Sequence, residues 1–323
     1  MTISQLTLAD AIDGYSLAAE ITLAPTTCQN YAGTFCLFQA FFEDDPLLDD
    51  LTERDIERFL ADLKKVKNEG KKQVSDATIR TRHIHLAALW TWLIEQGYAT
   101  KHIVQAVKAP KPKSPDIVPY TQADVVAMLG VLNKSRRYSR PGKRETEHSL
   151  PHPLRNRTII LVLLDTGLRA TELCNLQIRH VDIRNSHIQV EGGKGDKDRN
   201  VPFSTRTGQI LWQYITSRKK DPANAPLFIN DENRPLDRHS LRKTLIRIGE
   251  RAGLRNIGVH RFRHTFAVNF LRNGIKNGGA NPWALQQILG HTDMQTVSIY
   301  LKLAQADLDT AHRTASVVEN WRL

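Results

Sequence analysis

Residues 260–267 read "HRFRHTFA" and place two histidines and two arginines within five positions. The flanking residues favour a helix, and the stretch contains neither Pro nor Gly. On a helix, residues three and four apart share a face, so His260, Arg263 and His264 are predicted to lie together while Arg261 points elsewhere. Cations on one face repel one another unless an anion lies against them. The stretch alone leaves two interpretations about equally open: an anion site, or a solvated basic face with His264 satisfied in the core.

The charge of the chain favours a polyanionic partner. The net charge is +11 and the sequence pI is about 9.6. The first 50 residues contain eight acidic and no basic residues, so the remainder holds all 45 basic residues against 26 acidic ones. Nucleic acid is the commonest partner of so basic a body. An anionic membrane surface is the alternative, but no basic amphipathic helix with a bulky apolar face supports it.

Composition also narrows the location and the chemistry. There is no run of about 18 apolar residues and no signal-peptide pattern, so we predict a cytoplasmic protein without a membrane span. The three cysteines, Cys28, Cys36 and Cys174, have neither disulfide nor metal-ligand spacing, as expected in a reducing compartment. The sequence therefore predicts neither a bound metal nor a cofactor.

The pattern of apolar residues predicts a mainly α fold with a small β-sheet. Amphipathic helices fill the first third, one capped by Thr52 with Asp55 at the capping-box position and one running from Ser75 to a stop at Gly97. A basic, proline-rich linker, "KAPKPKSPDIVP", begins at about 108. We therefore predict a helical domain over 1–113 and a second domain over 114–323.

The second domain is predicted to mix helices with a hairpin. "LRNRTIILVLLDTG" indicates a buried helix that ends near Gly167, and "HIQVEGGKGDKDRNVPF" indicates two strands around a turn. "LFIN", residues 227–230, is a candidate strand. The insert 134–153 is polar, basic and rich in turn residues, and is predicted to be a loop.

Four short motifs carry candidate chemistry, although each has an ordinary explanation. Arg169 falls at the start of a helix, where free N–H groups bind phosphate, but an arginine in such a place, taken alone, is more often a surface arginine. Lys194 lies at the hairpin tip, where Gly, Lys and Asp are common anyway. His291 follows a glycine, and Tyr300 lies nine residues later on an apolar stripe, where a tyrosine usually belongs to the core.

Taken together, the motifs resemble the tyrosine recombinase (phage integrase) family. The order is an arginine, a hairpin lysine 25 residues later, His-x-x-Arg, Gly-His, and a tyrosine nine residues beyond that histidine. The resemblance covers about 154–302 in detail and the N-terminal helices in outline. It implies a SAM-like core-binding domain over 1–113 that closes on duplex DNA with the catalytic domain over 114–323.

The resemblance also implies residue roles. Arg169 and Arg263 would grip the scissile phosphate, Lys194 would be the general acid and Tyr300 the nucleophile. His260 and His291 would be the supporting histidines. Glu172 and His264 would support the site from behind. In transesterification at a phosphodiester, negative charge develops on the nonbridging oxygens of the phosphate, and two guanidiniums suit that charge. The phosphotyrosine intermediate keeps the energy of the cleaved phosphodiester bond, so neither ATP nor metal is needed.

The implied reaction is recombination through a 3′-phosphotyrosine and a Holliday junction. The partner is duplex DNA with an inverted-repeat core site. Four protomers would assemble at synapsis, and the protein free of DNA would be a monomer or weak dimer. An exchange tail of about 303–323 would link protomers. The further DNA-binding candidates are all basic: Lys71, Lys72, Arg80, Arg82, Lys111 and Lys113.

Several functions remain open within this chemistry. Integration and excision of a mobile element is favoured, and Xer-type chromosome or plasmid dimer resolution is the alternative; the 134–153 insert weighs mildly against a standard resolvase. The spacing around Tyr300 favours a recombinase over a type IB topoisomerase. The presence of the six key residues speaks against a catalytically silent DNA-binding factor.

Overall fold

The computed structural model describes residues 6–65, 74–112, 117–135, 147–192, 198–277, 281–290 and 294–304. The chain divides into unit 1, Met1–Pro115, and unit 2, Asp116–Leu323. Helices predominate in both units, and a three-stranded antiparallel sheet lies in unit 2. The predicted fold class, mainly α with a small sheet, is confirmed. No helix within these ranges is long and apolar enough to cross a bilayer.

Unit 1 is built from helices, several of which begin at capping side chains. The described helices are α1 (Leu8–Thr22), α2 (Pro25–Gln39), α3 (Glu53–Lys65), α4 (Asp76–Glu95) and α5 (Ile103–Ala106). Thr52 donates from its backbone N and its hydroxyl to Asp55 Oδ2, at 2.9 and 2.6 Å. Ser75 Oγ accepts from the Thr78 N–H at 3.2 Å. Such bonds satisfy polar groups that the first turn of a helix leaves unpaired.

Aromatic rings connect the helices of unit 1 within its core. Phe38 lies 5.0 Å from Phe59 and 6.2 Å from Trp90, measured between ring centroids, and both pairs meet edge to face. All three rings are buried. These contacts join α2, α3 and α4, so the apolar periodicity of the first third produces one core.

Unit 2 surrounds its sheet with helices. The described helices are α6 (Gln122–Gly130), α7 (Pro153–Thr166), α8 (Ala170–Asn175), α9 (Thr205–Ser217), α10 (Arg238–Arg251), α11 (Val259–Asn277), α12 (Pro282–Leu289) and α13 (Met294–Ala304). The strands are β1 (Val181–Asp182), β2 (His187–Val190) and β3 (Arg199–Pro202). The predicted hairpin is present: β2 pairs antiparallel with β3, with Val190 opposite Arg199. The tip of this hairpin, 193–197, lies outside the described residues.

The predicted strand at 227–230 is wrong. Leu227 and Phe228 are fully buried, but the segment makes isolated bridges, including Ile229 opposite Pro235, and no ladder. The chain reverses at once, since the Asn230 N–H donates to the Arg234 carbonyl at 2.8 Å. Pro226 also lacks the N–H that a ladder needs. The apolar run therefore indicated burial and not strand pairing.

Two glycines let three helices of unit 2 meet closely. Gly167 ends α7 in the left-handed region, at φ 63°, and Gly290 ends α12 at φ 62°. A Cβ on Gly167 would lie 2.5 Å from Phe266 Cδ1 and 2.9 Å from Leu289 Cδ2. Only glycine allows the end of α7 to approach α11 and α12 this closely.

The segment before α6 is fastened to the start of α11. The Arg261 guanidinium lies 4.1 Å from the ring centroid of Tyr120 and donates to the Val118 carbonyl at 2.8 Å. The Tyr120 N–H donates to Thr265 Oγ1 at 2.8 Å. Arg261 therefore faces away from Arg263, as the helical spacing predicted.

Candidate active site

Arg263 is a buried cation held by the ends of two helices. Its side chain is 1% exposed. Nη1 donates to the Gly167 carbonyl and Nη2 to the Leu289 carbonyl, both at 2.7 Å. These oxygens lie at the C-termini of α7 and α12, the negative ends of the helix dipoles. Burial, and then repulsion from Arg169, lowers the pKa of Arg263 to about 10, so the side chain stays charged at neutral pH.

Arg169 lies at the N-terminus of α8, bound to Glu172 and to the end of α12. Its backbone N–H donates to Glu172 Oε2 and its Nη1 to Glu172 Oε1, both at 2.7 Å. Nη2 donates to the Gly290 carbonyl at 3.1 Å. The side chain remains 27% exposed. The backbone N–H that could meet phosphate is therefore taken by a carboxylate, and the exposed guanidinium is the group left to meet an anion.

Glu172 has a second arginine partner that the sequence pattern did not reveal. Arg199 donates from Nη1 to Oε1 at 3.0 Å and from Nη2 to Oε2 at 2.9 Å. Burial alone would raise the pKa of Glu172, but the hydrogen bonds from Arg199 and Arg169 outweigh it and the pKa is lowered. One signal was available: Arg199 shares a face of β3 with the buried Val201, and an inward arginine needs an acidic partner.

Two histidines and the tyrosine form a row beside the arginines. The ring centroids of His260 and His264 are 4.3 Å apart, edge to face. His264 Nδ1 lies 2.9 Å from the Tyr300 hydroxyl oxygen. Tyr300 is 1% exposed and packs in a cluster with Val297 and Leu285. The structure thus places Tyr300 both in an apolar core and against the cationic cluster.

The electrostatic environment keeps the imidazoles neutral. Burial lowers the pKa of His264 to about 4, helped by His260 and Arg263. The pKa of His260 is lowered by desolvation and then by Arg263 and Arg169. Burial raises the pKa of Tyr300, and the two arginines oppose that rise. A neutral imidazole with its proton on Nε2 can accept the phenolic proton at Nδ1.

The described side chains of the site carry more positive than negative charge. Arg169, Arg199 and Arg263 surround a single carboxylate, that of Glu172. The Arg169 side chain is partly exposed, and the neighbouring His260 is exposed. An anion such as a phosphodiester would balance this excess, and guanidiniums match its paired oxygens.

Some predicted residues cannot be placed in this arrangement. Lys194 and His291 lie outside the described residues, as do most of the 134–153 insert, the segment 305–323 and three DNA-binding candidates: Lys71, Lys72 and Lys113. Arg80 and Lys111 are exposed, whereas Arg82 is half-buried and burial lowers its pKa. Across the parts of the chain that the structure covers, no three His, Cys, Asp or Glu side chains are grouped to hold a metal ion.

Comparisons with known proteins show the family to which the chain is similar. The model of the phage integrase family matches residues 144–307. The tyrosine recombinase XerA of Pyrococcus horikoshii is 30% identical over 274 residues, which cover 83% of this chain and 82% of that protein.

Solved structures share the fold over almost the whole chain. One is the Tn1549 transposon integrase in complex with transposon right end DNA, at 19% identity and a TM-score of 0.71, covering 98% of this chain and 100% of that one. Another is a lambda integrase tetramer bound to a Holliday junction, at 18% identity and a TM-score of 0.68, covering 92% and 78%.

Proposed function

This chain belongs to the phage integrase family of tyrosine recombinases, which are DNA strand-transfer enzymes, and we propose that it exchanges strands between specific DNA sites through a 3′-phosphotyrosine at Tyr300. The observation that carries the residue assignment is the Tyr300 hydroxyl, which lies 2.9 Å from His264 Nδ1 and whose pKa is raised by burial and lowered by the charges of Arg263 and Arg169. A phenol beside a proton acceptor and next to an anion-binding pair is what attack on a phosphodiester requires.

Arg169 and Arg263 bind the scissile phosphate in this proposal. Attack at phosphorus builds negative charge on the nonbridging oxygens, and the two guanidiniums meet that charge in the transition state. An arginine in this role contributes on the order of 10³ to 10⁵ in rate to phosphoryl transfer in other enzymes. The helix-end carbonyls that hold both side chains keep them in place without neutralising them.

Tyr300 supplies the nucleophile and loses its proton to a neighbouring neutral imidazole. The bond from the Tyr300 oxygen to phosphorus forms as the bond to the 5′ oxygen breaks. The leaving 5′ oxygen takes a proton from Lys194, which follows β2 in the hairpin. His260 and His291 complete the set as hydrogen-bond donors to the phosphate. Rejoining runs the same steps in reverse with a 5′ hydroxyl from the partner duplex.

The substrate and the assembly follow from this mechanism. Unit 1 is proposed as the core-binding domain and unit 2 as the catalytic domain, on a duplex with two inverted half-sites. Four protomers would act at synapsis through a Holliday junction, as in the lambda integrase tetramer, and a monomer or weak dimer would exist without DNA. The tail from about 303 to 323 would link the protomers. A cytoplasmic location remains a prediction.

Two biological roles use this chemistry. We favour integration and excision of a mobile element, since the 134–153 insert, with six Lys and Arg residues, weighs mildly against a standard resolvase. Dimer resolution is the second candidate, and the 30% identity to XerA favours it. Recovery of excised circles from the native host supports the first role, whereas accumulation of chromosome or plasmid dimers after deletion of the gene supports the second.

The activity itself is tested with a nicked suicide duplex that contains the recombination site. Cleavage releases a short strand, so the covalent complex accumulates and appears as a protease-sensitive, SDS-resistant band. A silent DNA-binding factor would shift the duplex on a native gel and never form that band.

A further inference from the structure

Arg199 connects Glu172 with the end of α12, two parts of the site that are distant in sequence. It is the first residue of β3, with a side chain that is 13% exposed. Its Nε donates to the Ile288 carbonyl at 3.0 Å, and Nη1 and Nη2 donate to the two oxygens of Glu172 at 3.0 and 2.9 Å. A single planar guanidinium therefore bridges α8, β3 and the end of α12.

The bond to Glu172 controls Arg169. A bidentate guanidinium–carboxylate pair fixes the plane of the carboxylate as well as its position. The same two oxygens accept from the Arg169 backbone N–H and from its Nη1. Without Arg199, the carboxylate would keep only its two hydrogen bonds from Arg169, and its undivided charge would pull the Arg169 guanidinium away from the Gly290 carbonyl.

The contact with the end of α12 controls the carbonyls that orient both arginines. A Cβ added to Gly290 would lie 3.1 Å from Arg199 Cζ, so the guanidinium packs directly on this backbone. The Leu289 carbonyl accepts from Arg263 and the Gly290 carbonyl from Arg169. Arg199 thus braces the two residues that hold the anion-binding pair.

We propose that Arg199 is a positioning residue for strand cleavage, acting through Glu172 and residues 288–290 to hold Arg169 and Arg263 in the orientation that meets the phosphate. This inference rests on the proposed function. Lysine should not replace it, because one ammonium cannot span two carboxylate oxygens and a carbonyl at once. The defect of a variant should therefore lie in stabilising the phosphate charge and not in DNA affinity.

The test compares two suicide duplexes, one with an ordinary scissile phosphodiester and one with a methylphosphonate there. A methylphosphonate is uncharged, so its cleavage depends less on correctly placed arginines. We expect Arg199→Met and Arg199→Lys to slow single-turnover cleavage of the phosphodiester about 100-fold, as for a misplaced catalytic group. Relative to wild type, cleavage of the methylphosphonate should fall less than about 10-fold, and Kd for the duplex should stay within about 3-fold.

Arg218→Met is the matched control. Arg218 is 10% exposed, donates to Asp221 and binds the carbonyls of Pro226 and Leu227, so it resembles Arg199 in burial and in partners. Its loss should affect stability without discriminating between the two duplexes. If Arg199→Met fails to fold, Arg199→Lys, which keeps the charge and most of the volume, provides the comparison.

The outcomes separate the two claims. If the Arg199 variants slow both duplexes equally, or cleave the phosphodiester at the wild-type rate, Arg199 is only a structural residue and the inference is overturned. If wild type itself forms no covalent complex with a site that it binds, the proposed function fails, and the inference fails with it.

Discussion

The Tyr300 hydroxyl lies 2.9 Å from Nδ1 of His264, so a residue of α13 and a residue of α11, 36 positions apart, share one hydrogen bond inside the core. Tyr300 is almost fully buried, and its hydroxyl is satisfied within the chain. A phosphate that reacts with this oxygen must therefore replace the imidazole as its partner or approach while that bond persists. The first two predictions concern this pair.

Tyr300→Phe should bind DNA normally and form no covalent complex. The change removes one hydroxyl from a buried ring and keeps its packing, so the free energy of unfolding should fall by only about 0.5 to 1.5 kcal/mol. The readouts are gel shift, the suicide duplex and urea unfolding. If the Tyr300→Phe variant still forms an SDS-resistant adduct with DNA, another residue is the nucleophile.

Stability should decrease as the pH falls from about 6.5 toward 4. In that interval the unfolded chain protonates His264, whose ordinary pKa is 6.5, while the folded chain does not until about pH 4. The unfolded state then binds more protons, which favours unfolding; the contribution is fully present above pH 6.5. Urea unfolding of wild type and His264→Gln at several pH values measures this, and the variant should show a shallower dependence. An unchanged slope would contradict the lowered pKa.

Gly167→Ala should destabilise unit 2 and impair cleavage. The φ of 63° at this position strains the backbone of an alanine, and the added Cβ would lie 2.5 Å from Phe266 Cδ1, which overpacks the core. Together these two effects should lower the free energy of unfolding by about 2 to 4 kcal/mol. Cleavage should fall as well, because the Gly167 carbonyl holds Arg263. Gly253→Ala is the control, since Gly253 has φ 76° but nothing within 4 Å of an added Cβ. It should cost only about 1 to 2 kcal/mol.

Binding to duplex DNA should weaken steeply with salt. Each neutralised phosphate contributes about −0.9 to the slope of log affinity against log salt. Arg80 is exposed near the start of α4, and Arg80→Ala should reduce the magnitude of that slope by about 0.9. Fluorescence anisotropy over a salt series gives both slopes, with Lys220→Ala as an exposed cation outside the candidate set. A wild-type slope near zero would rule out phosphate-dominated binding.

Deletion of 307–323 should separate binding from synapsis. The segment carries Leu308, Val317, Val318, Trp321 and Leu323, and it follows the last residue of the candidate site. The truncated protein should bind a single site as wild type does and form fewer synaptic complexes, measured on native gels with two duplexes. Full recombination by the truncated protein would argue against an exchanged tail.

Local patterns predicted the elements that position the site. The spacing of His260, Arg263 and His264 predicted their common face, and the glycine at 167 predicted the end of α7. Both features depend on residues within one or two helical turns, where backbone geometry alone decides which side chains are neighbours.

Contacts between distant segments could not be predicted in the same way. The partnership of Arg199 with Glu172 spans 27 positions and depends on how β3 packs against α8 and α12. The prediction of a strand at "LFIN" was wrong for a related reason. Apolar composition indicates burial, but it does not indicate which backbone groups find hydrogen-bond partners. The hydroxyl of Tyr300 likewise acquires its partner only when α13 packs on α11.

The helix-end carbonyls that hold Arg169 and Arg263 have an entropic consequence. A free arginine side chain samples many rotamers, and immobilising one at a binding interface costs about 0.5 to 1.5 kcal/mol. Here three carbonyl oxygens, of Gly167, Leu289 and Gly290, restrict both guanidiniums. That loss of freedom accompanies folding, so the phosphate that we propose for this site would meet two cations that need little further ordering.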